Sequence, residues 1–222
     1  MHNTVKNLIY IEELIKSKVK HDKLSKIIAV SKTFPIENIL PLIEHGHCHF
    51  GENKVQETLD KWSKIKNEKE NIKLHLIGKL QTNKVKFALR IFDYIHSLDS
   101  EKLAIKISKE QIKQEKKPKI FVQVNIGNEE HKSGIRKERL DEFYKFCKNL
   151  NLDIIGTMCI PPNDNNTEEY FSEMNKANDD ELAKIIAVSK TFPIENVLPL
   201  IEHGHLHYGE NKVQEALEKW SD

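Results

Sequence analysis

The sequence has little that would indicate a secreted, membrane-spanning or nucleic-acid-binding protein. Only three of its 222 residues are cysteines, and this odd, widely spaced set fits free thiols in a reducing compartment better than disulfides. No run of 18 apolar residues occurs, and the N-terminus lacks the apolar segment of a signal peptide. Thirty-five Lys and Arg against 34 Asp and Glu leave a net charge of +1, too small to hold the chain on a polyanion or an anionic membrane. We therefore expect a cytoplasmic protein with neither nucleic acid nor a membrane as its partner.

Composition and length are those of a folded domain. Apolar residues make up 38% of the chain and charged residues 31%, which provides a core of normal size and a well-solvated surface. Wholesale disorder is thereby excluded. The length corresponds to between one and two domains of about 150 residues, and a barrel can exceed that size, so we expect a single domain over residues 1–222.

The chain contains an internal repeat. Residues 24–63 recur as residues 182–221, with 34 identities in 40 positions and an offset of 158. The six differences are mostly mild: Ser25 to Ala183, Ile39 to Val197, Cys48 to Leu206, Phe50 to Tyr208, Thr58 to Ala216 and Asp60 to Glu218. A solenoid is excluded, because the 118 residues between the copies do not repeat the unit. The second copy is interpreted as a product of duplication or recombination.

Short apolar segments alternate with amphipathic ones along the whole chain. The first of the short segments is an apolar, β-branched run of the kind buried in a parallel sheet. Eight segments are predicted as strands: Lys26–Ser31, His47–Phe50, Leu74–Gly78, Tyr94–Leu98, Ile120–Ile126, Ile154–Ile160, Ile185–Ser189 and Leu206–Tyr208. The amphipathic segments predict helices: Val5–Val19, Pro35–Glu44, one that begins with an Asn53/Gln56 capping box, Asn83–Ile91, Glu101–Glu115, Lys137–Leu150 and Thr167–Asn175.

Eight strands in alternation with helices predict a parallel (β/α)8 barrel, with an open doubly wound sheet as the alternative. In this barrel the last two strands are supplied by the copy of the first two. Barrels carry their ligand chemistry at the carboxyl ends of the strands, and several predicted strands here end in polar residues.

Lys32 is the first candidate functional residue. With a side-chain period of two, it shares a strand face with Ile28 and Val30, so an ammonium group ends an apolar row. Burial there lowers the pKa of a lysine and makes its amine a nucleophile toward carbonyls, as in Schiff bases with pyridoxal phosphate. The alternative is a lysine whose head reaches from the strand end into water.

Five motifs give the chain a family resemblance: Ala29-Val30-Ser31-Lys32-Thr33, Gly51-Glu52-Asn53, His75-Leu76-Ile77-Gly78-Lys79-Leu80-Gln81-Thr82-Asn83-Lys84, Lys132-Ser133-Gly134 and Met158-Cys159-Ile160-Pro161-Pro162. In this order they resemble the pyridoxal phosphate homeostasis protein family, and they cover residues 1 to about 175.

The resemblance implies a fold similar to the N-terminal barrel of alanine racemase and a carrier or regulator of pyridoxal 5'-phosphate without an evident turnover reaction. It assigns the Schiff-base lysine to Lys32 and places Asn53 near the cofactor. It places Asn83 and Ser133 at the mouth of the barrel, and we add Met158 as the fifth candidate cofactor-binding residue.

The chain departs from the family beyond about residue 175. A Gly-Met-Ser type turn and an Arg-Ile-Gly type turn, which grip the cofactor phosphate in the family, are absent. Their places are taken by Ser189-Lys190-Thr191 and Gly209-Glu210-Asn211. Thr191 offers a donor to a phosphate whereas Glu210 repels one, so we expect weakened cofactor binding.

Two groups of residues are poor candidates for other chemistry. His45, His47, Cys48 and His49 resemble a metal cluster, but alternate strand residues face opposite ways, so we predict strand-edge histidines and no metal site. Cys147 and Cys159 have no evident base partner in the sequence, which argues against a catalytic thiol.

Two other functions stay open. One is an amino-acid racemase-like pyridoxal phosphate enzyme, although such an enzyme needs a second acid/base residue that alanine racemase takes from an added domain and a second subunit. The other is a chimeric barrel with impaired cofactor binding. We expect a monomer, with a domain-swapped dimer as the alternative, because both copies compete for the first-strand position.

Overall fold

The computed structural model describes residues 1–18, 27–127, 129, 133–160, 170, 185–188 and 208–209. Its strands are β1 (Ala29–Val30), β2 (His49–Glu52), β3 (Lys73–Leu76), β4 (Tyr94–Leu98), β5 (Lys119–Asn125), β6 (Ile135–Arg136), β7 (Asp153–Cys159), β8 (Ile185–Val188) and β9 (Tyr208–Gly209). Its helices are α1 (Asn3–Lys18), α2 (Leu40–Glu44), α3 (Val55–Glu68), α4 (Val85–Ile91), α5 (Glu101–Gln114) and α6 (Leu140–Asn149).

The strands form one parallel sheet in the order β1-β2-β3-β4-β5-β7-β8-β9, with the two-residue β6 paired to β5 beside this path. A doubly wound sheet reverses its strand order at a switch point, whereas this sheet runs through the strands in chain order. Sequential winding of parallel strands is the arrangement of a (β/α)8 barrel. The predicted fold class is therefore the one that the topology supports.

The two strands of the copy follow β7 in the sheet. Strand β7 pairs with β8, and β8 pairs with β9, all in parallel. This is the order that the sequence predicts for a seventh and an eighth strand. Among the described residues no ladder joins β9 to β1, so closure of the barrel stays a prediction.

Two details of the predicted helices are wrong. The helix expected from Pro35 begins instead as a 3-10 turn over Ile36–Asn38, and α2 starts only at Leu40. The capping box at Asn53 does not form: α3 begins at Val55, and the Gln56 side chain donates to Asp60 at 3.1 Å. The physical reason is that the backbone of Asn53 is packed against the loop after β3, which keeps it outside the helix.

Other boundaries differ slightly. Strand β2 lies two residues later than expected, because the chain at His47 is still bonded to the end of α2 through Leu42. Strand β6 was not predicted. The helix expected over 167–175 lies outside the described residues, apart from Tyr170, and so does much of the second copy.

The sheet separates two apolar regions. The larger one lies between the strands and the helices, where Phe50 packs on Trp62 of α3 with ring centroids 4.8 Å apart and both side chains fully buried. The smaller one contains Ile28, Phe121 and Met158. Ile28 directly precedes β1, and the smaller cluster to which it belongs identifies the interior side of the sheet. No helix in the described part is long and apolar enough to cross a membrane.

Candidate functional site

Lys32 lies directly after β1, at the carboxyl end of the sheet, and its side chain is half-buried. The Ser31 N–H donates to the Gly51 carbonyl at 2.9 Å, which extends the β1–β2 ladder to the residue before Lys32. Thr33 then has a φ of 65°, a left-handed conformation that costs a β-branched residue energy. The chain thus turns sharply beside Lys32, as expected of a functional strand end.

A buried carboxylate holds the ends of β1 and β2 together. Glu52 is 1% exposed and accepts hydrogen bonds at Oε1 from Ser31 Oγ at 2.8 Å, Lys61 Nζ at 2.8 Å and Trp62 Nε1 at 2.9 Å. Lys61 Nζ also donates to the Ser31 carbonyl at 2.8 Å. The donors to Glu52 come from the residue after β1 and from α3. We call this group, which consists of Ser31, Glu52, Lys61 and Trp62, the Glu52 network. It fixes the strand end that directly precedes Lys32.

Asn53 is half-buried and lies one residue beyond Glu52. A Cβ atom added at Gly78 would lie 2.4 Å from the Asn53 carbonyl oxygen, so only glycine allows the loops after β2 and β3 to approach this closely. The Ile77 N–H donates to the Glu52 carbonyl at 2.9 Å and reinforces the contact. Asn53 is therefore held rigidly against the loop after β3.

Ser133 connects the loops after β3 and β5. Its hydroxyl accepts a hydrogen bond from Lys79 Nζ at 2.9 Å, and its carbonyl accepts one from Gln123 Nε2 at 3.0 Å. Gly134 has a φ of 135°, and a Cβ there would lie 2.6 Å from the Asn125 nitrogen. The sequence motif around Ser133 thus includes a glycine that the close backbone approach requires.

The remaining two candidates, Asn83 and Met158, lie to either side of these strand ends. Asn83 is exposed on the 3-10 turn Thr82–Lys84, and none of the described hydrogen bonds joins it to the other four predicted residues. Met158 is 2% exposed and packs with Ile28 and Phe121 inside the sheet. The structure therefore connects the ends of β1, β2, β3 and β5 into one rim, while Asn83 stays at its periphery and Met158 lies on the interior side.

Three histidines form a hydrogen-bonded chain that sequence reasoning missed. His49 Nδ1 lies 2.9 Å from His75 Nε2, and His75 Nδ1 lies 2.9 Å from His96 Nε2. The Tyr94 ring stacks on His75 with centroids 4.1 Å apart. Strand parity could have indicated that the His49 and His75 side chains share a face of the sheet. They precede Gly51 and Ile77 by two residues, and a Cβ at Gly51 would contact Ile77 and Ile28 on that face.

The histidine chain corrects the prediction of simple strand-edge histidines for His49. His49 belongs to the chain, whereas His47 bonds the His49 carbonyl at 2.8 Å through Nε2 and packs edge-on against Phe50. Burial lowers the pKa of His47. Within the described residues, no group of three His, Cys, Asp or Glu side chains is arranged to hold a metal ion.

Two of the three thiols, those of Cys147 and Cys159, are not nucleophiles at neutral pH. Burial raises the pKa of Cys147 and of Cys159 to about 12, so both stay protonated. Cys48 is half-buried and free. Neither of the two buried thiols therefore offers a thiolate nucleophile.

Comparison with known proteins identifies the family. The family of the alanine racemase N-terminal domain matches residues 12–195. The pyridoxal phosphate homeostasis protein of Aquifex aeolicus is 33% identical over 86% of this chain and 89% of its own length. The protein of the same name from Buchnera aphidicola is 35% identical over 89% of this chain and 92% of its own length.

Solved structures agree with this result. PipY of Synechococcus elongatus with PLP bound is 25% identical, covers 92% of this chain and 97% of its own, and superposes with a TM-score of 0.75. The alanine racemase of Clostridium difficile shares the fold, with 15% identity and a TM-score of 0.69 over 96% of this chain and 56% of its own. These neighbours confirm the predicted alanine racemase-like TIM barrel, and the chain belongs to the pyridoxal phosphate homeostasis protein family, within the larger family of alanine racemase N-terminal domains.

Proposed function

We propose that this chain binds pyridoxal 5'-phosphate covalently through Lys32 and serves as a carrier or regulator in cofactor homeostasis. The observation that carries the proposal is the position of Lys32: it is half-buried at the carboxyl end of β1, stands four positions after Ile28 of the smaller cluster, and follows a strand end fixed by Glu52. Relatives with the homeostasis name and PipY with PLP bound support the choice of cofactor.

The residues present fit this cofactor. When bound, pyridoxal phosphate supplies an aldehyde that reacts with a lysine amine, and its pyridine ring withdraws electrons. Lys32 provides the amine, half-buried directly after β1 at the carboxyl end of the sheet. Asn53 offers a neutral amide at the same rim, and the close approach at Gly78 keeps it there.

The phosphate end of the site remains a prediction. Ser133 presents a hydroxyl that Lys79 already bonds, so this part of the rim combines a hydroxyl with a cation. The segments expected at the phosphate are Ser189-Lys190-Thr191 and Gly209-Glu210-Asn211, and all of their residues except Gly209 lie outside the described residues. Because Glu210 would repel an anion, we propose that affinity for the cofactor is lower than in relatives with the family's phosphate turns.

The same site supports a carrier better than a racemase. Racemisation requires a proton donor on each face of the cofactor. Cys159, at the carboxyl end of β7, is a neutral thiol whose pKa is raised to about 12, and it is fully buried. It therefore does not supply the second acid/base group. An amino-acid racemisation assay distinguishes the two functions, since a carrier produces no D-amino acid.

A cofactor titration with matched variants tests the proposal. We expect pyridoxal phosphate to produce the visible absorbance of the lysine adduct with the unmodified chain and with Lys190→Ala, the equivalent substitution in the second copy. Lys32→Ala should lose that absorbance and keep a cooperative thermal transition, because a lysine at a strand end contributes little packing. Retained absorbance in Lys32→Ala, together with its loss in Lys190→Ala, would refute the assignment.

A further inference from the structure

A basic cavity lies at the opposite end of the sheet from Lys32. It has a volume of about 360 Å³ and lies among the amino ends of β3, β4 and β5 and the carboxyl end of α4. Lys32 follows the carboxyl end of β1, and all paired strands are parallel, so the two sites are on opposite rims. The cavity is therefore separate from the proposed cofactor site.

The charge of this cavity is strongly one-sided. Six cationic side chains line it: Lys66, Lys73, Arg90, Lys116, Lys117 and Lys119. Among the described lining residues, Asp93 alone carries a carboxylate, which leaves a surplus of five positive charges. The whole chain has a net charge of only +1, so this concentration of cations is local.

The single carboxylate is already occupied. Asp93 Oδ2 accepts a hydrogen bond from the Leu74 N–H at 2.8 Å and forms an ion pair with Lys66. Both bonds hold the start of β4 against β3 and α3. Asp93 therefore balances the charge of Lys66 and does not balance the charges of the other five cations of the cavity.

Neutral partners orient several of the cations without reducing their charge. Lys116 Nζ donates to the Arg90 carbonyl at 3.1 Å, and Lys117 Nζ donates to Asn151 Oδ1 at 2.8 Å. Lys119 Nζ lies 5.7 Å from the centre of the Tyr94 ring. Each ammonium group keeps donors beyond the one bond described, because a lysine has three N–H groups.

Capping of helix α4 explains only part of this arrangement. Lysines near a helix carboxyl end bind its last carbonyls, as Lys66 does at Ile91 and Lys116 does at Arg90. Lys73 and Lys119 are strand residues and bind none of these carbonyls in the described contacts. Like charges brought together in a concave site repel one another, and an anion relieves that repulsion.

We propose that this cavity is a binding site for a small polyanion that carries at least two adjacent phosphate groups. Its volume lies in the range of about 300–1,000 Å³ that small-molecule sites have. Several lysines that act as point charges suit a ligand with spread negative charge better than a single carboxylate. The near-zero net charge of the chain favours such a compact ligand over a long polyanion.

Calorimetric titration with inorganic pyrophosphate at fixed ionic strength tests this site. The test variant is Lys73→Gln/Lys119→Gln, and the charge-matched control is Lys102→Gln/Lys109→Gln on the exposed face of α5. We expect saturable binding to the unmodified chain and the control, and at least a tenfold loss of affinity in the test variant, with orthophosphate weaker than pyrophosphate. Thermal unfolding of each variant verifies that it is folded.

Backbone amide shifts locate the anion. We expect pyrophosphate to shift the amide resonances of residues 91–94 and 116–119, and to leave those beside Lys32 and Asn53 unchanged. Equal affinity in the two double variants, the absence of saturation, or shifts centred on Lys32 would overturn the proposal. Tighter binding of a single-stranded RNA than of pyrophosphate at this rim would also overturn it in favour of a nucleic-acid surface.

Discussion

The two copies of the repeat form the same strand pair at opposite ends of the sheet. In the first copy Ala29 pairs with Phe50 and Val30 with Gly51. In the second copy the equivalent residues pair in the same register, Ala187 with Tyr208 and Val188 with Gly209. The offset of 158 that relates the sequences therefore also relates the ladders.

The two strand pairs differ in their neighbours. In the first copy the second strand, β2, has a further partner in β3, whereas in the second copy the first strand, β8, has its further partner in β7. Among the described residues, β9 has a ladder on one side only. The local sequence thus sets the pairing within a copy, and the adjoining chain sets where the pair enters the sheet.

Removal of the buried carboxylate should give the largest difference in unfolding free energy between the two copies. Glu52→Ala leaves Lys61 and Trp62 without their acceptor in a site where Glu52 is 1% exposed, and loss of one partner of a buried ion pair costs about 3–5 kcal/mol of unfolding free energy. All four members of the Glu52 network recur in the sequence of the second copy, so Glu210→Ala is the matched change. We expect it to cost less, because β9 has one described neighbour. Denaturant unfolding measures both.

Equal losses for Glu52→Ala and Glu210→Ala would show that the copies are equally integrated in the fold. Glu52→Gln provides a second test, since it keeps an oxygen acceptor for Trp62 and removes the charge that Lys61 requires. We expect an intermediate loss of unfolding free energy from this variant.

Hydrogen exchange should reveal the same asymmetry in the unmodified chain. Local opening requires less free energy where fewer ladders hold a strand, so we expect amides of β9 to exchange about tenfold or more faster than those of β2. Mass spectrometry of peptides that span residues 47–54 and 205–212, which contain β2 and β9, measures this. Uniform strong protection of both segments would show that the second copy closes the barrel as firmly as the first copy begins it.

A glycine at the end of α2 offers a smaller, backbone-only comparison. Gly46 has a φ of 99° and would place a Cβ in open space, so Gly46→Ala adds conformational strain without a clash. We expect a loss of about 1–2 kcal/mol in unfolding free energy. The matched change, Gly204→Ala, should cost less if the second copy is held more loosely. Thermal or urea unfolding of the pair decides, and a larger loss from Gly204→Ala would contradict this account.

The smallest expected effect concerns a thiol that only the first copy contains. Cys48 is half-buried and Leu206 occupies the equivalent position, so a thiol reagent at Cys48 reports on the first copy alone. At pH 8 the thiols of Cys147 and Cys159 remain neutral, because burial raises the pKa of each to about 12. We expect one thiol to react in the folded chain and three after unfolding. Rapid reaction of two or three thiols before unfolding would contradict the buried positions.

Period and composition predicted some features of the molecule well and others poorly. The segment of residues 94–98 predicted β4 with its observed bounds, although His96 and Ser97 interrupt its apolar residues. Lys32 lies directly after a strand, as the sequence predicted, and its role stays a prediction. The capping box at Asn53 failed, since a tertiary contact with Gly78 overrode the local preference.

Contacts between distant strands account for what the sequence did not indicate. The chain of His49, His75 and His96 joins residues 21 and 26 positions apart, and strand parity gives the face of each histidine without saying which histidines meet. Glu52 appeared only as one residue of the motif Gly51-Glu52-Asn53, yet its three donors come from the residue after β1 and from α3. Such networks depend on strand order and register, which a single sequence leaves open.

Identification of the lysine that carries the cofactor is the most direct test of the central claim. After the chain is loaded with pyridoxal phosphate and reduced with borohydride, a labelled Lys32 resists trypsin and yields a peptide of residues 27–54. The equivalent peptide of residues 185–212 contains Lys190 and differs at three positions, so mass spectrometry separates the two. We predict the label on Lys32. A label on Lys190, or one spread over surface lysines, would contradict the assignment of the cofactor site to the first copy.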